Sequence, residues 1–158
     1  MPRSTWKSCF WRFAVTVSLA VWWGGLTFYA AIVVPLGIEQ FGGVEQGLLT
    51  QRVTVRLNIA GTIAGICLLA DALWRKPRNH RAVMASGLLG LQAWLWFWHS
   101  RLSRWLDAAS LSPHSDESFY HEHRIYLWVT SAQWVIGLAC LGMWCVRPPV
   151  IPADDPTV

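Results

Sequence analysis

Residues His99–Trp144 read HSRLSRWLDAASLSPHSDESFYHEHRIYLWVTSAQWVIGLACLGMW, and they hold four of the chain's five histidines. The first part is polar. After Arg124 the next charged residue is Arg147, so 22 residues pass without a charge. About 20 apolar residues carry a helix across a hydrocarbon core of roughly 30 Å. A helix packed inside a soluble protein keeps a polar face, and residues 125–146 have none. The stretch therefore reads as a polar loop feeding a membrane span.

Working outward, the same pattern recurs. Between Arg12 and Glu39 lie 26 uncharged residues, and between Arg81 and Arg101 there are 19. A further block, Val53–Trp74, contains Arg56, Asn58 and Asp71, and its uncharged centre, 57–70, is 14 residues long. A run of that length on its own also fits a re-entrant or interfacial helix. It reads as a span because Arg56 and Asp71 fall near opposite ends, where side chains reach the interface. Composition agrees: 54% of residues are hydrophobic and 14% charged, against about 25% charged in soluble domains. The expected fold is all-α, a four-span transmembrane helix bundle with both termini inside and a helical outer loop between spans three and four. The spans cover residues 13–34, 53–74, 82–99 and 125–146. A basic entry, 1–12, precedes this domain, and a disordered tail rich in Pro and Asp, 147–158, follows it.

The net charge of +4 is not a nucleic-acid signal, because the basic residues sit at span ends, as topology signals do. With both termini inside, eight positives (Arg3, Lys7, Arg12, Arg75, Lys76, Arg78, Arg81, Arg147) face in and five (Arg52, Arg56, Arg101, Arg104, Arg124) face out. This orients both termini to the cytoplasm, and the expected location is a bacterial inner membrane. The cluster Arg75, Lys76, Arg78 and Arg81 suits anionic lipid head groups, although a plain topology signal explains it as well. The first uncharged run is too long for a cleaved signal peptide.

Several features point to packing. Gly24-Gly25 lies in the first span, which ends at Pro35, where a helix stops or kinks. The following GIEQFGGVEQGLLTQR reads as a flexible connection with room for a short interfacial helix. Gly61 and Gly65 form a G-x-x-x-G, a spacing that lets helices approach closely, within the chain or in a homodimer. Asp71 and Arg75 are four apart and can pair on one helix face. Trp94, Trp96 and Trp98 mark an outer aromatic belt or, less plainly, a stacking platform for a flat ligand. RLSRWLDAAS continues as an amphipathic helix, and Ser115 is placed to cap the helix that enters the last span. Cys9, Cys67, Cys140 and Cys145 have neither disulfide nor metal spacing, and cysteines in spans usually act as small apolar residues.

The chain resembles the family of small four-helix membrane proteins typified by transmembrane protein 205 and its bacterial relatives. The likeness rests on Trp23-Gly24-Gly25-Leu26-Thr27-Phe28 with Val34-Pro35, on His99-Ser100-Arg101-Leu102, and on Phe119-Tyr120-His121-Glu122-His123-Arg124, where His123 is the matching histidine. It covers residues 13–146. Gln133-Trp134 departs from it, standing where relatives have Asn or small residues. The resemblance implies four spans. It implies no reaction, so no catalytic role transfers.

Chemistry-bearing residues gather in two places. His99 ends the third span, and His121 and His123 precede the fourth, with Glu122 beside them. Antiparallel neighbours would bring these to one height. Histidines with a carboxylate can hold a transition metal, and two histidines on facing helices can hold a haem. Side chains two apart on a helix point about 200° apart, however, so at most one of His121 and His123 faces the bundle. The second group is an intramembrane polar network of Arg56, Asn58, Gln92 and Gln133. Arg56 needs an acidic partner, with Glu122 or Glu39 at hand. Interhelical hydrogen bonds explain such residues, and a pocket for a small polar ligand is the sharper alternative. Nucleotide loops, zinc-protease helices and haem-attachment motifs do not occur in the sequence. The expectation is a non-enzymatic membrane component that handles a small molecule or ion, or binds a partner. The alternative is a membrane redox, metal or haem protein built on the outer histidines.

Overall fold

The computed structural model describes residues 3–74, 79–109 and 117–145. Helix α1 runs Arg3–Phe28, passes through a π-helical turn, Tyr29–Val33, and continues as α2, Val34–Phe41. After Gly42 come α3 (Gly43–Trp74), α4 (Asn79–Ala109) and α5 (Glu117–Cys145). Each long helix packs on its neighbour in the chain, and α5 returns to α1. Among the described residues the backbones of the diagonal pairs α1–α4 and α3–α5 stay apart, and only side chains such as Asn58 and Tyr126 reach across. Side-chain pairs fix the directions. Trp11 meets Asp71 and Gly25 meets Leu57, so α1 and α3 are antiparallel. Gln92 meets Gln133 while Arg101 meets Glu122, so α4 and α5 are antiparallel too. The result is an up-down-up-down four-helix bundle.

The π turn is the response to Pro35. In a regular helix the proline ring would press on the carbonyl of Ala31 and offer no N–H. Here the Val34 N–H bonds the Tyr29 carbonyl five residues back, and the widened turn lets the helix continue. Pro35 therefore does not end the first helix. The connection expected to be flexible is helical on both sides of one residue, Gly42, at φ 83° and ψ 172°, a conformation open essentially to glycine alone. Its N–H bonds the Ile38 carbonyl, and its own carbonyl accepts from the Gln46 N–H.

Among the described residues, three helices are long and apolar enough to cross a membrane: Trp6–Phe41, Glu45–Trp74 and His121–Met143. The segment that looked weakest in sequence is among them. The missing one is α4, whose uncharged run contains Gln92, His99 and three tryptophans, groups that partition less well into hydrocarbon than the aliphatic side chains of α3.

The core is layered along the bundle axis. Val15, Leu19 and Trp22 of α1 pack with Ala64 and Leu68 of α3, Ala85 and Leu88 of α4, and Cys140 of α5. A smaller cluster, Leu95, Leu102 and Tyr126, lies toward the other end. Between them the core turns polar, while Phe13, Val21, Ile63, Ile66, Phe97 and Trp128 are exposed on the outside.

Candidate functional site

Asn58, Gln92 and Gln133 come from α3, α4 and α5, and all are buried. Gln133 Nε2 donates to Gln92 Oε1 at 2.7 Å. Gln92 Nε2 donates to Asn58 Oδ1 at 3.1 Å and to the Asn58 carbonyl at 3.2 Å. Asn58 Nδ2 reaches Tyr126 Oη at 3.5 Å. Thr62 Oγ1 bonds the same Asn58 carbonyl and accepts from Trp96 Nε1 at 3.0 Å. Of the four residues expected to form an intramembrane polar network, these three are joined in one chain of hydrogen bonds. Arg56 is not part of it. It is exposed, and Glu122 pairs instead with Arg101 at 2.8 Å. Two positions on a helix are about 200° apart, so with Asn58 pointing inward Arg56 must point out.

The glycines explain how the amides come so close. A Cβ on Gly61 would lie 2.5 Å from Gln92 Oε1 and 2.6 Å from Trp22 Nε1. On Gly65 it would lie 2.7 Å from Leu89 Cδ2. Both glycines of the G-x-x-x-G thus serve contacts within the chain, with α1 and α4. Gly25 makes ordinary contact with Leu57, and Gly24 faces open space. Gly137, which the sequence did not single out, holds the edge of Trp22 at 2.9 Å from where its Cβ would be. Beside it Trp23 and Trp134 stack at 5.1 Å. Trp23 Nε1 donates to the Trp134 carbonyl at 3.1 Å, and Trp134 Nε1 to Thr27 Oγ1 at 2.8 Å. These bonds join α1 to α5.

At the end expected to face outward, the histidines do not assemble a metal set. His121 is exposed and His123 half-buried, as the helical spacing requires. His99 is 3.4 Å from Ser103 Oγ, and its ring centre is 6.5 Å from that of Tyr126. Glu122 is engaged by Arg101. Among the described residues, no three His, Cys, Asp or Glu side chains gather within reach of one ion. Trp94 and Trp98 stack on each other at 4.6 Å, Arg101 lies over the Trp98 ring, and Trp96 turns inward to Thr62. The three tryptophans are half-buried packing groups.

At the opposite end Asp71 is almost wholly buried, with 1% of its surface exposed. Trp11 Nε1 donates to its Oδ1 at 3.2 Å. Asp71 borders a cavity of ≈ 30 Å³ that Arg81, Met84, Cys140 and Met143 also line. Arg75, Lys76 and Arg78, the capping Ser115 and the tail 147–158 lie outside the described residues. Arg81, the remaining member of the basic cluster, is half-buried.

The fold and its interior define an all-α antiparallel bundle with an apolar exterior and an amide-bonded core. No family model, curated protein or solved structure matches the chain.

Proposed function

We propose that this chain is a four-span integral membrane protein that handles a small ion or polar molecule without catalysing a reaction. The observation that carries the membrane reading is the inverted distribution of side chains. Asn58, Gln92 and Gln133 are enclosed while phenylalanine, isoleucine, valine and tryptophan face out. In water that arrangement would be upside down. In lipid it is the stable one, because polar groups must bond one another and apolar groups meet lipid at no cost.

The fourth span is α4. It runs beside α3 and α5 from the Asp71–Arg81 end, through Gln92, to the Arg101–Glu122 pair. If α3 and α5 cross the bilayer, α4 lies at the same depth. The charge bias supports cytoplasmic termini, and a bacterial inner membrane and the likeness to the family of transmembrane protein 205 belong to the same reading.

The ion-handling part rests on Asp71. An ionisable side chain buried in a membrane helix marks a functional site by default, and this one borders a cavity. The amide network is a different case. Its groups bond across three helices and serve the packing. The test is ligand-induced stabilisation of the purified protein by small cations and anions, with Asp71→Asn as the control. Stabilisation that Asp71→Asn abolishes supports the reading, and no stabilisation by any of them counts against it.

A further inference from the structure

The cavity at the inner end gathers three of the chain's seven sulfur-bearing side chains. The sequence has three methionines. Met84 and Met143, the two besides Met1, both line this cavity, and Cys140 lines it with them. Cys140 and Met143 are three residues apart on α5, which places them on one helix face. Met84 comes from α4 and Asp71 from α3, so three helices deliver these groups to one space. Its volume, ≈ 30 Å³, exceeds the roughly 10–15 Å³ that a single water needs, so a single ion fits. Ala72 and Ala85 contribute apolar wall.

We infer that Cys140, Met84 and Met143 form a binding site for a soft monovalent metal ion, copper(I) being the physiological candidate. The inference rests on the ion-handling reading and names the ion class for the same cavity. Thiolate and thioether sulfur select copper(I) over hard cations such as magnesium or calcium. A Cys140 thiolate and one monovalent ion are together neutral, whereas a divalent ion leaves an excess positive charge on this ligand set, which is unfavourable in a low-dielectric interior. On binding, the Cys140 thiol proton is released to solvent and a metal–sulfur bond replaces it. The two thioethers donate without losing a proton, and no electron is transferred.

The experiment uses the full chain in detergent or lipid nanodiscs, in a Cys9→Ser, Cys67→Ser, Cys145→Ser background. Silver(I) serves as a redox-stable probe, and copper(I) is competed against a chelator. The expected result is one ion per chain. Loss of a direct ligand costs at least as much as loss of an outer-shell partner, so Cys140→Ser should weaken binding by roughly tenfold or more, and Met84→Leu with Met143→Leu likewise. If a variant fails to fold, methyl NMR of the parent decides. The Met84 and Met143 methyl signals shift on silver addition while that of Met1 does not. Absent binding, binding indifferent to these variants, or unshifted methyls would overturn the site. Stabilisation by a hard cation that depends on Asp71, without silver binding, would overturn the soft-metal assignment and leave the ion-handling reading standing.

Discussion

Gln92 is the residue on which the interior turns. It accepts from Gln133 and donates twice to Asn58, so Gln92→Leu leaves Asn58 Oδ1 and Gln133 Nε2 buried without those partners. Unsatisfied buried polar groups cost about 1–3 kcal/mol, and the variant should lose that much in a denaturant titration of the protein in micelles. An unchanged midpoint would mean that the amides do not hold the helices. Gly61→Ala should destabilise as well, since the new methyl meets the Gln92 and Trp22 side chains. Gly24→Ala has open space and should be neutral or stabilising by about 0.5–1 kcal/mol, the helix preference of alanine over glycine. The Arg101–Glu122 pair is a weaker element. With Arg101 46% exposed, Arg101→Ala should cost no more than about 1 kcal/mol, and less in high salt. Much of this was legible in the sequence, because a polar residue in an apolar run has to find a partner. Which face it occupies was not. Arg56 and Asn58 differ by about 200° around α3, and only the packing of α3 on α4 decides which of them is inside. The expected local partner of Asp71, Arg75, lies outside the described residues. The bond that Asp71 accepts from Trp11 spans 60 residues, and no local pattern announces it.

At the scale of elements, Pro35 and Gly42 show how far composition carries. Both were visible as helix breakers, and both are absorbed. One becomes a π turn, the other a single-residue reversal between α2 and α3. Local propensity gave the positions of these events. The docking of the π turn and α2 on α3 decided their form: Tyr29 Oη bonds Thr50 Oγ1 at 2.8 Å, and Gly37 of α2 lies against the Gln46 side chain. Gly42→Ala should therefore cost about 1–3 kcal/mol, the strain of a side chain in that region of backbone space. Faster hydrogen exchange in α2 would be the local sign of it, and unchanged exchange together with unchanged stability would show that the reversal tolerates a side chain. The three tryptophans of α4 were read as a belt because tryptophan favours interfaces. In the fold one of them is spent on a bond to Thr62 and two on each other. These contacts form because α4 has neighbours on two sides, and they are compatible with a belt at the same height.

At the scale of the whole molecule, the helices are longer than a bilayer needs. The 30 residues of Glu45–Trp74 extend about 45 Å at 1.5 Å per residue, against a core of roughly 30 Å. The bundle should therefore project from the membrane at the end that carries Glu39, Arg52, Arg101 and Arg104. The number of helices was legible from the uncharged runs, and their antiparallel order follows from short connections. Which of the outer histidines share a space was not legible, because helical spacing turns His121 and His123 to different faces, and among the described residues no three His, Cys, Asp or Glu side chains gather around one ion. The central claim is that α4 crosses the bilayer with its two ends on opposite sides. In a cysteine-free background, His80→Cys and Arg104→Cys report on those ends, both being exposed positions on α4. A membrane-impermeant maleimide added to intact cells should label the Arg104 position at once and the His80 position only after permeabilisation. Equal labelling of both before permeabilisation, or of neither, would place the two ends on one side and contradict the four-span account.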